Sequence, residues 1–387
     1  MRSQRWWQWM VLRPRRSSTL TFKLFTVLFA VTFSLGLVGG VMATATSSAI
    51  PLPLPTPPDL TSPPSLAPPE LAPAPPLAPP EPVPAPPLAP PDLTDIGPTT
   101  AADSAVGAFD LGDGTFSAPY DVVGDVKVFK LRMAPVRWEV SPGDVREAWA
   151  FNGTVPGPTI RINEGDRVRF LVQNALPEET GVHWHGMNLP NVQDGVPHLT
   201  QHPIMPGETF TYEWTAISTG THWYHSHMGG PQVAKGLYGS LEIEPRTGGI
   251  RADRDYRAVF NDGALGFVLN GKSFPATRPL KAKVGERVRI RIIGSGPELI
   301  HSIHMHGGFF ELVAQDGNKI QFPPKMDTVT ASPGQTYDFV FVPPSPGKWL
   351  LHCHIFSHSE TPEGMKGMVT YLDVEPGNAA LPLPSVP

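Results

Sequence analysis

The sequence predicts an all-β fold in which one domain of the β-sandwich or β-barrel type occurs twice. Short stretches of alternating polar and apolar residues, such as 167–172 and 337–342, are separated by glycine and proline turns. A period of two residues is typical of strands that bury one face. Segments of the first half recur in the second half in the same order, which indicates a duplicated domain.

Three pairs of matched segments define the repeat. They are GDRVRF at 165–170 with GERVRI at 285–290, HWH at 183–185 with HMH at 304–306, and GTHWYHSH at 220–227 with GKWLLHCH at 347–354. The offset stays close to roughly 120 residues, which suits one compact β-domain per copy. We therefore expect domain 1 at residues 119–248, domain 2 at residues 249–376 and a C-terminal tail at 377–387.

The first 118 residues differ from the rest in composition. Residues 1–23 carry only basic charges and precede the apolar run 24–42, which predicts an export signal. The run approaches the length that spans a bilayer, so an uncleaved membrane anchor within residues 1–45 is the alternative. Residues 46–118 are rich in proline and predict an extended polyproline II linker. We expect a secreted or cell-envelope protein.

Charge and cysteine content narrow the function further. The chain has a formal net charge of −5, and residues 1–45 carry six basic residues and no acidic ones, so the rest of the chain is more acidic and nucleic acid is not an expected partner. The single cysteine, Cys353, cannot form an intramolecular disulfide, which is unusual in an exported protein. Its place between two histidines therefore needs a chemical explanation.

Histidine is concentrated in clusters, and all 13 histidines lie between residues 183 and 358. On a β-strand, residues i and i+2 share a face, so each His-x-His pair can direct two imidazoles at one site. Four such pairs supply eight nitrogen ligands for metal. They are His183, His185, His225, His227, His304, His306, His352 and His354.

Cys353 is the middle residue of the last pair, so its sulfur faces away from the two flanking imidazoles. Two metal centres would then lie on opposite sides of one strand. The second centre would combine Cys353 with His301, His358 and a weak thioether, a donor set typical of a blue-copper site. We expect Met365 as this axial ligand, with Met368 as the alternative.

The order of these motifs resembles the four copper motifs of the multicopper oxidase family, which includes laccases. The neighbouring residues are also similar to the family: FNGTVPGPTI at 151–160, HWHG at 183–186, YHSH at 224–227 and HCHI at 352–355. The resemblance covers residues 120–376. It implies two cupredoxin-like Greek-key β-barrels and four coppers per functional unit, of which one is type 1, one is type 2 and two are type 3.

The resemblance also implies a role for each ligand. His183 and His304 would hold the type 2 copper. The type 1 copper would be held by His301, Cys353, His358 and Met365, and the type 3 pair by His185, His225, His227, His306, His352 and His354. Cys353 would pass electrons to the adjacent histidines, and His358 would face the reducing substrate.

Four further residues have weaker signals. Asp194 resembles the acid that lies beside the type 2 copper in the family, where it would relay protons, although an aspartate before glycine is also a common turn residue. His202 stands where many laccases have cysteine. We expect His198, His202 and His222 to be surface or supporting residues rather than ligands.

The resemblance implies an oxidase that takes single electrons from phenolic or aryl-amine donors and reduces O₂ to water. A metal-ion oxidase of Cu(I), Fe(II) or Mn(II) is the alternative enzyme. A copper-sequestering or electron-transfer protein is the alternative of another class. Ser226 and Thr180 stand where the second domain has Cys353 and His301, so domain 1 is not expected to hold type 1 copper, unlike the first domain of copper nitrite reductase.

Each domain supplies four of the eight paired histidines, and no spacer domain separates them. We therefore expect a ring in which domain 1 of one chain meets domain 2 of its neighbour. This arrangement predicts a homotrimer with three interfacial copper clusters.

Overall fold

A computed structural model describes residues 109–377. Within this range, residues 109–248 are the first half and residues 249–377 the second half. The predicted export signal or anchor, most of the predicted linker and the tail beyond residue 377 lie outside these residues. Within the described range, no helix is both long enough and apolar enough to cross a membrane. The described chain is almost entirely β-strand and turn, so the predicted all-β class is confirmed.

The first half contains nine strands in two sheets. They are β1 (Asp121–Val123), β2 (Val126–Ser141), β3 (Asp144–Phe151), β4 (Gly157–Asn163), β5 (Arg167–Asn174), β6 (Val182–His185), β7 (Thr209–Thr215), β8 (Gly220–Ser226) and β9 (Tyr238–Glu244). One sheet has the order β1-β2-β5-β7 with β3 paired to β2, and the other has the order β4-β9-β8-β6. A short helix, α1 (Gly230–Ala234), follows β8.

The second half contains fourteen strands, several of them very short. They are β10 (Arg254–Gly263), β11 (Gly266–Leu269), β12 (Leu280–Lys283), β13 (Val288–Gly294), β14 (His301–Met305), β15 (Phe310–Gln315), β16 (Asn318–Lys319), β17 (Lys325–Met326), β18 (Thr328–Ala331), β19 (Thr336–Phe341), β20 (Gly347–Cys353), β21 (Glu360–Thr361), β22 (Gly364–Met365) and β23 (Val369–Glu375). The main sheets have the orders β11-β10-β13-β19-β15-β16 and β12-β23-β20-β14-β18, and β21 pairs with β22.

The two halves share one topology. In each half an early strand pairs in parallel with a later one: β2 with β5 and β4 with β9 in the first half, β10 with β13 and β12 with β23 in the second. Parallel neighbours within otherwise antiparallel sheets arise when the chain crosses from one sheet to the other. Two sheets then enclose one apolar core in each half.

A shared apolar cluster joins the halves. It contains Trp223 and Tyr238 from the first half and Val259 and Ile293 from the second. Removing an aliphatic or aromatic side chain of this size from water contributes about 1.5–3 kcal/mol each. The seam between the halves is therefore held by hydrophobic burial as well as by the polar contacts beside it.

A buried ion network continues the seam. Arg257 on β10 donates to Glu242 on β9 at 2.7 Å, and Arg291 on β13 donates to Asp255 at 2.7 Å. Burial alone would raise the pKa of Glu242, but the guanidinium groups of Arg257 and Arg291 more than offset it and hold that pKa below its usual range. The charges are compensated within the network, as buried charges need to be.

Residues 109–118 form part of the folded body, although their sequence predicts a linker. Asp113 is buried and accepts the main-chain N–H of Arg257 at 2.7 Å, while Asn270 donates to its carbonyl at 2.8 Å. Ser117 forms an isolated parallel β-bridge with Thr159 in the first half. Gly, Asp and Ser in this segment are typical of loops, and the burial of Asp113 against the seam has no local sequence signal.

The β2–β3 hairpin extends from the first half over the second. Trp138 donates its indole N–H to the carbonyl of Gly271 at 2.6 Å, and the main-chain N–H of Ser273 donates to Val140 at 2.9 Å. The hairpin thereby forms one wall of a cavity beside the second-half histidines.

Candidate metal centres

The first group of four histidines, which we call quartet 1, comes from β6 and β8 and the residues after β8. These strands are antiparallel neighbours, and His183 lies opposite His225 in the register. The ring of His183 lies 5.3–5.6 Å from the rings of the other three members, His185, His225 and His227. Trp184 alternates to the opposite face and is fully buried in the core.

The second group, quartet 2, repeats this arrangement on β14 and β20. His304 lies opposite His352 in the register. The ring of His304 lies 4.9–5.8 Å from those of His306, His352 and His354. Each quartet thus has one central ring, and the central rings are those of His183 and His304.

Main-chain carbonyls fix the tautomer of several rings. His183 Nδ1 lies 2.8 Å from the carbonyl of Asp194, and His304 Nδ1 lies 2.8 Å from that of Asp327. A carbonyl only accepts, so Nδ1 carries the proton and Nε2 keeps its lone pair for a ligand. His225 and His352 make the same contact, with the carbonyls of the residues that follow them.

The Asp194 contact depends on a tight turn. Gly195 has a φ of 84°, and a Cβ at this position would lie 1.7 Å from the carbonyl oxygen of Val182. Only glycine combines this conformation with so close an approach. The side chain of Asp194 also faces His183, with 3.5 Å between Oδ1 and Nδ1.

Unsatisfied nitrogens indicate that the quartets are built for a cation. His225 Nε2 is buried and has no hydrogen-bond partner among the described residues. His306 Nε2 and His352 Nε2 approach within 3.3 Å of each other. Burial lowers the pKa of His225 to about 3 and that of His352 to about 4, so both rings are neutral at neutral pH. Converging neutral imidazoles fit a transition metal.

The cysteine centre lies on the inner face of β20. His301 Nδ1 is 3.3 Å from His358 Nδ1, which is 3.5 Å from the sulfur of Cys353. All three side chains are buried, and burial raises the pKa of the Cys353 thiol. Two imidazole nitrogens and one sulfur converge within 4.8 Å, a donor set that would hold a copper ion with Cys353 as the thiolate.

The two methionines of the loop after His358 occupy different places. Met365 lies on the β21–β22 hairpin and is 46% exposed. Met368 is fully buried, its N–H donates to the carbonyl of His358 at 2.9 Å, and its carbonyl accepts the N–H of Cys353 at 3.0 Å.

Sequence reasoning missed Asp262. This residue is 6% exposed, and its Oδ1 lies 3.3 Å from His301 Nε2. It stands in the stretch Asn261-Asp262-Gly263, which reads as a turn, and 39 residues separate it from His301. No local pattern could have connected the two.

The remaining histidines have ordinary surroundings. His222 is buried and donates from Nε2 to the carbonyl of Ser218 at 3.0 Å, His198 contacts Glu179 at 3.1 Å on the surface, and His202 is exposed. The supporting and surface roles of these three histidines stay predictions.

The place equivalent to the cysteine centre in the first half contains neutral oxygens instead. Thr180 donates to the side-chain oxygen of Gln232 at 2.8 Å, and the hydroxyl of Ser226 lies 3.1 Å from that of Thr180. A hydrogen-bonded hydroxyl and amide cluster offers no soft donor for copper.

A cavity of about 250 Å³ opens beside His358. The β2–β3 hairpin contributes Val140, Asp144 and Arg146 to its wall, and Phe267 stacks on the His358 ring at 4.1 Å. Both halves of the chain therefore shape the approach to this imidazole.

The quartets do not meet within one chain. Among residues 109–377, ring contacts join histidines inside each quartet and none joins one quartet to the other. A cavity of about 380 Å³ beside quartet 1 is bordered on the second half by 295–297 and 333–334, not by quartet 2. His227, His306 and His354 are exposed.

The chain contains two copies of a two-sheet β-domain, one cysteine–histidine centre and two histidine quartets. This combination is typical of a copper protein of the cupredoxin-like type. Sequence patterns of the multicopper oxidase family match residues 132–248 and residues 250–376. The chain belongs to the multicopper oxidase family. The predicted cupredoxin-like fold and copper cofactor are thereby confirmed.

Solved structures with similar folds include the blue copper oxidase from Nitrosomonas europaea and the multicopper oxidase mgLAC. The first is 33% identical, with a TM-score of 0.60, and the match covers 64% of this chain and 85% of the other. The second is 31% identical, with a TM-score of 0.61, and the match covers 67% of this chain and 88% of the other.

Curated relatives match over shorter stretches. Copper resistance protein A of Escherichia coli is 41% identical over 121 residues, which is 31% of this chain and 20% of the relative. Laccase abr2 of Aspergillus fumigatus is 32% identical over 232 residues, which is 56% of this chain and 38% of the relative. The chain thus spans less than two fifths of the length of either protein.

Proposed function

We propose that the chain is a copper-dependent oxidase that couples one-electron oxidation of phenolic or aryl-amine donors to the four-electron reduction of O₂ to water. The observation that carries this proposal is the arrangement of β20. That strand holds Cys353 in a buried centre with His301 and His358, while its neighbours His352 and His354 belong to a partly exposed histidine quartet.

We assign the ligands as the family pattern implies. His183 and His304, the central rings of the quartets, would hold the type 2 copper, and the six other quartet histidines would hold the type 3 pair. His301, Cys353 and His358 would hold the type 1 copper. When bound, copper supplies one-electron redox chemistry at the cysteine centre and O₂ reduction at the quartets.

The protein's own residues would position the donor and the ligands and keep water away from the cysteine centre. Cys353 and its two flanking histidines are joined by a few covalent bonds, which gives a short route from the buried centre to quartet 2. His358 borders the cavity under the β2–β3 hairpin, so a donor there would contact its ring and exclude water. Asp194 orients His183 through its carbonyl and can hold a proton for reduced oxygen with its carboxylate.

The surroundings of the methionines support Met368, rather than Met365, as the thioether that would complete the cysteine centre. Met368 is buried and bonded through its main chain to both Cys353 and His358, whereas Met365 is exposed on a hairpin. A weak axial thioether in a blue-copper site lies close to the thiolate and the imidazoles.

Oxygen uptake by copper-loaded protein tests the function. We expect a phenol or an aryl amine to drive uptake faster than Cu(I), Fe(II) or Mn(II), and Cys353→Ser to abolish both the uptake and the blue absorbance. Faster uptake with Cu(I) would favour the metal-ion oxidase. Copper binding without uptake from any donor would favour a sequestering or electron-transfer protein.

The separation of the quartets supports a homotrimer. Each quartet offers half of the eight cluster ligands at a surface, and cyclic pairing of domain 1 with a neighbour's domain 2 completes every cluster. We also propose secretion or cell-envelope attachment through the N-terminal residues, and a division into domains at residues 248 and 249. Sedimentation of copper-loaded protein as an active monomer would contradict the trimer.

A further inference from the structure

A carboxylate that has no place in the ligand set lies behind the cysteine centre. Asp262 is 6% exposed, and its Oδ1 lies 3.3 Å from Nε2 of His301, which is fully buried. The opposite nitrogen of this ring, Nδ1, faces His358 and the centre. The carboxylate and the centre therefore lie on opposite sides of one imidazole.

The position of Asp262 is fixed from several directions. Its second oxygen, Oδ2, accepts the main-chain N–H of Leu299 at 3.0 Å, in the segment that leads into His301. A Cβ on Gly296 would lie 1.6 Å from Oδ1 of Asp262 and 3.1 Å from Nε2 of His301. Residue 296 therefore leaves just enough room for the carboxylate to reach the ring.

The β10–β11 hairpin contacts both imidazoles of the centre. Asp262 lies opposite Phe267 in its register, and Phe267 stacks on His358 while Asp262 contacts His301. Within residues 109–377, His301 is the only basic side chain within ion-pair distance of Asp262. A buried carboxylate with so little compensation is costly unless a cation lies nearby.

We infer that Asp262 is a positioning residue of the type 1 centre, an inference that rests on the proposed function. Its carboxylate accepts the Nε2–H of His301, which fixes the tautomer and leaves the Nδ1 lone pair for copper. A carboxylate in this position makes a histidine ligand more basic and holds its ring in place. The added negative charge stabilises Cu(II) relative to Cu(I) and lowers the reduction potential of the centre.

Redox titration of the blue absorbance in copper-loaded protein tests this role. Asp262→Asn keeps the shape and an acceptor oxygen but removes the charge. We expect the Cu(I) to Cu(II) ratio at a fixed potential to rise about tenfold, equivalent to about 59 mV for a one-electron couple. Competition with a copper chelator should give about 10- to 100-fold weaker binding at this centre.

Gly296→Ala is an independent second variant. The added methyl group displaces the carboxylate from His301 without changing any charge, so the potential should shift in the same direction. Glu298→Gln is the matched control, because it removes one exposed negative charge from the same segment and should leave the ratio within about twofold of the wild type.

The outcomes separate the two proposals. A blue wild type with an unchanged potential and copper affinity in Asp262→Asn overturns the role of Asp262 and leaves the oxidase intact. An equally large shift of the reduction potential in Glu298→Gln also overturns the role of Asp262. The loss of any nearby negative charge would then explain the effect. A copper-loaded wild type without blue absorbance overturns the proposed function and the inference together. If Asp262→Asn does not fold, redox titration of Gly296→Ala tests the role of Asp262 in its place.

Discussion

Met368 and Met365 lie three residues apart in the loop after His358, and they differ in how deeply they are buried. Met368 is enclosed by the second-half core, whereas Met365 projects from a two-stranded hairpin. An axial thioether acts through its distance from copper, so only a residue held by the protein interior can keep that distance constant. The choice between the two is a question of loop conformation.

Substitution of each methionine by leucine separates the two assignments. Met368→Leu conserves volume and should cost less than about 1.5 kcal/mol of stability. Loss of a weak donor to Cu(II) should raise the type 1 potential, by about 59 mV for a tenfold change in the redox equilibrium. Met365→Leu should leave the potential unchanged. Redox titration with thermal unfolding as a check measures both, and a shift confined to Met365→Leu would favour the original expectation.

The residues that the sequence predicted are those with a local pattern. The histidine pairs were recognisable because i and i+2 share a strand face, and the register of β6 with β8 and of β14 with β20 brings the pairs together. Asp262 and the buried segment around Asp113 were missed because their partners are distant in sequence. The axial ligand, Met365 or Met368, stays a prediction, because spacing alone does not describe how a long ligand loop folds.

At the scale of elements, β9, β10 and β13 together hold the seam between the halves. Glu242 on β9 accepts hydrogen bonds from Arg257 on β10 and is approached by Arg291 on β13 at 3.6 Å. The ion pairing of these strands could not be predicted from the sequence, because charged residues in a strand pattern normally indicate a solvated face.

The seam predicts an acid-sensitive stability. The folded state holds the pKa of Glu242 below its ordinary value of 4.5, so the unfolded state binds more protons as the pH falls below that value. The stabilisation from Glu242 is fully present above pH 4.5 and is lost progressively towards its lower folded pKa. Glu242→Gln should reduce the free energy of unfolding by about 3–5 kcal/mol at neutral pH and flatten this acid dependence.

Urea unfolding of the wild type and Glu242→Gln across this pH range checks the prediction. Glu286→Gln is the matched control, since Glu286 also pairs with an arginine, Arg254 at 3.1 Å, but at the surface. A surface pair contributes about 0–1 kcal/mol, so this control should change little. Equal decreases in the free energy of unfolding of the two variants would show that the buried network stabilises the fold no more than the surface pair does.

At the scale of the whole molecule, the seam fixes the angle between the halves and with it the direction in which each quartet faces. Quartet 1 borders the loops 295–297 and 333–334 of its own chain, so in the proposed trimer the quartet 2 that completes it would come from a neighbouring chain. The seam would then serve assembly by presenting two incomplete sites at different surfaces, which a closed ring of identical chains would complete.

Mixing two inactive variants tests this arrangement. One variant carries His225→Ala in quartet 1, and the other carries His354→Ala in quartet 2. In a trimer formed from an equal mixture, about one quarter of the interfaces would join an intact quartet 1 to an intact quartet 2, so about one quarter of the wild-type oxygen uptake should return. The measurement is uptake after the variants are unfolded, mixed, refolded and loaded with copper, with each variant treated alone as the control. Clusters formed within single chains would leave the mixture as inactive as its components, because every chain would then contain one damaged half.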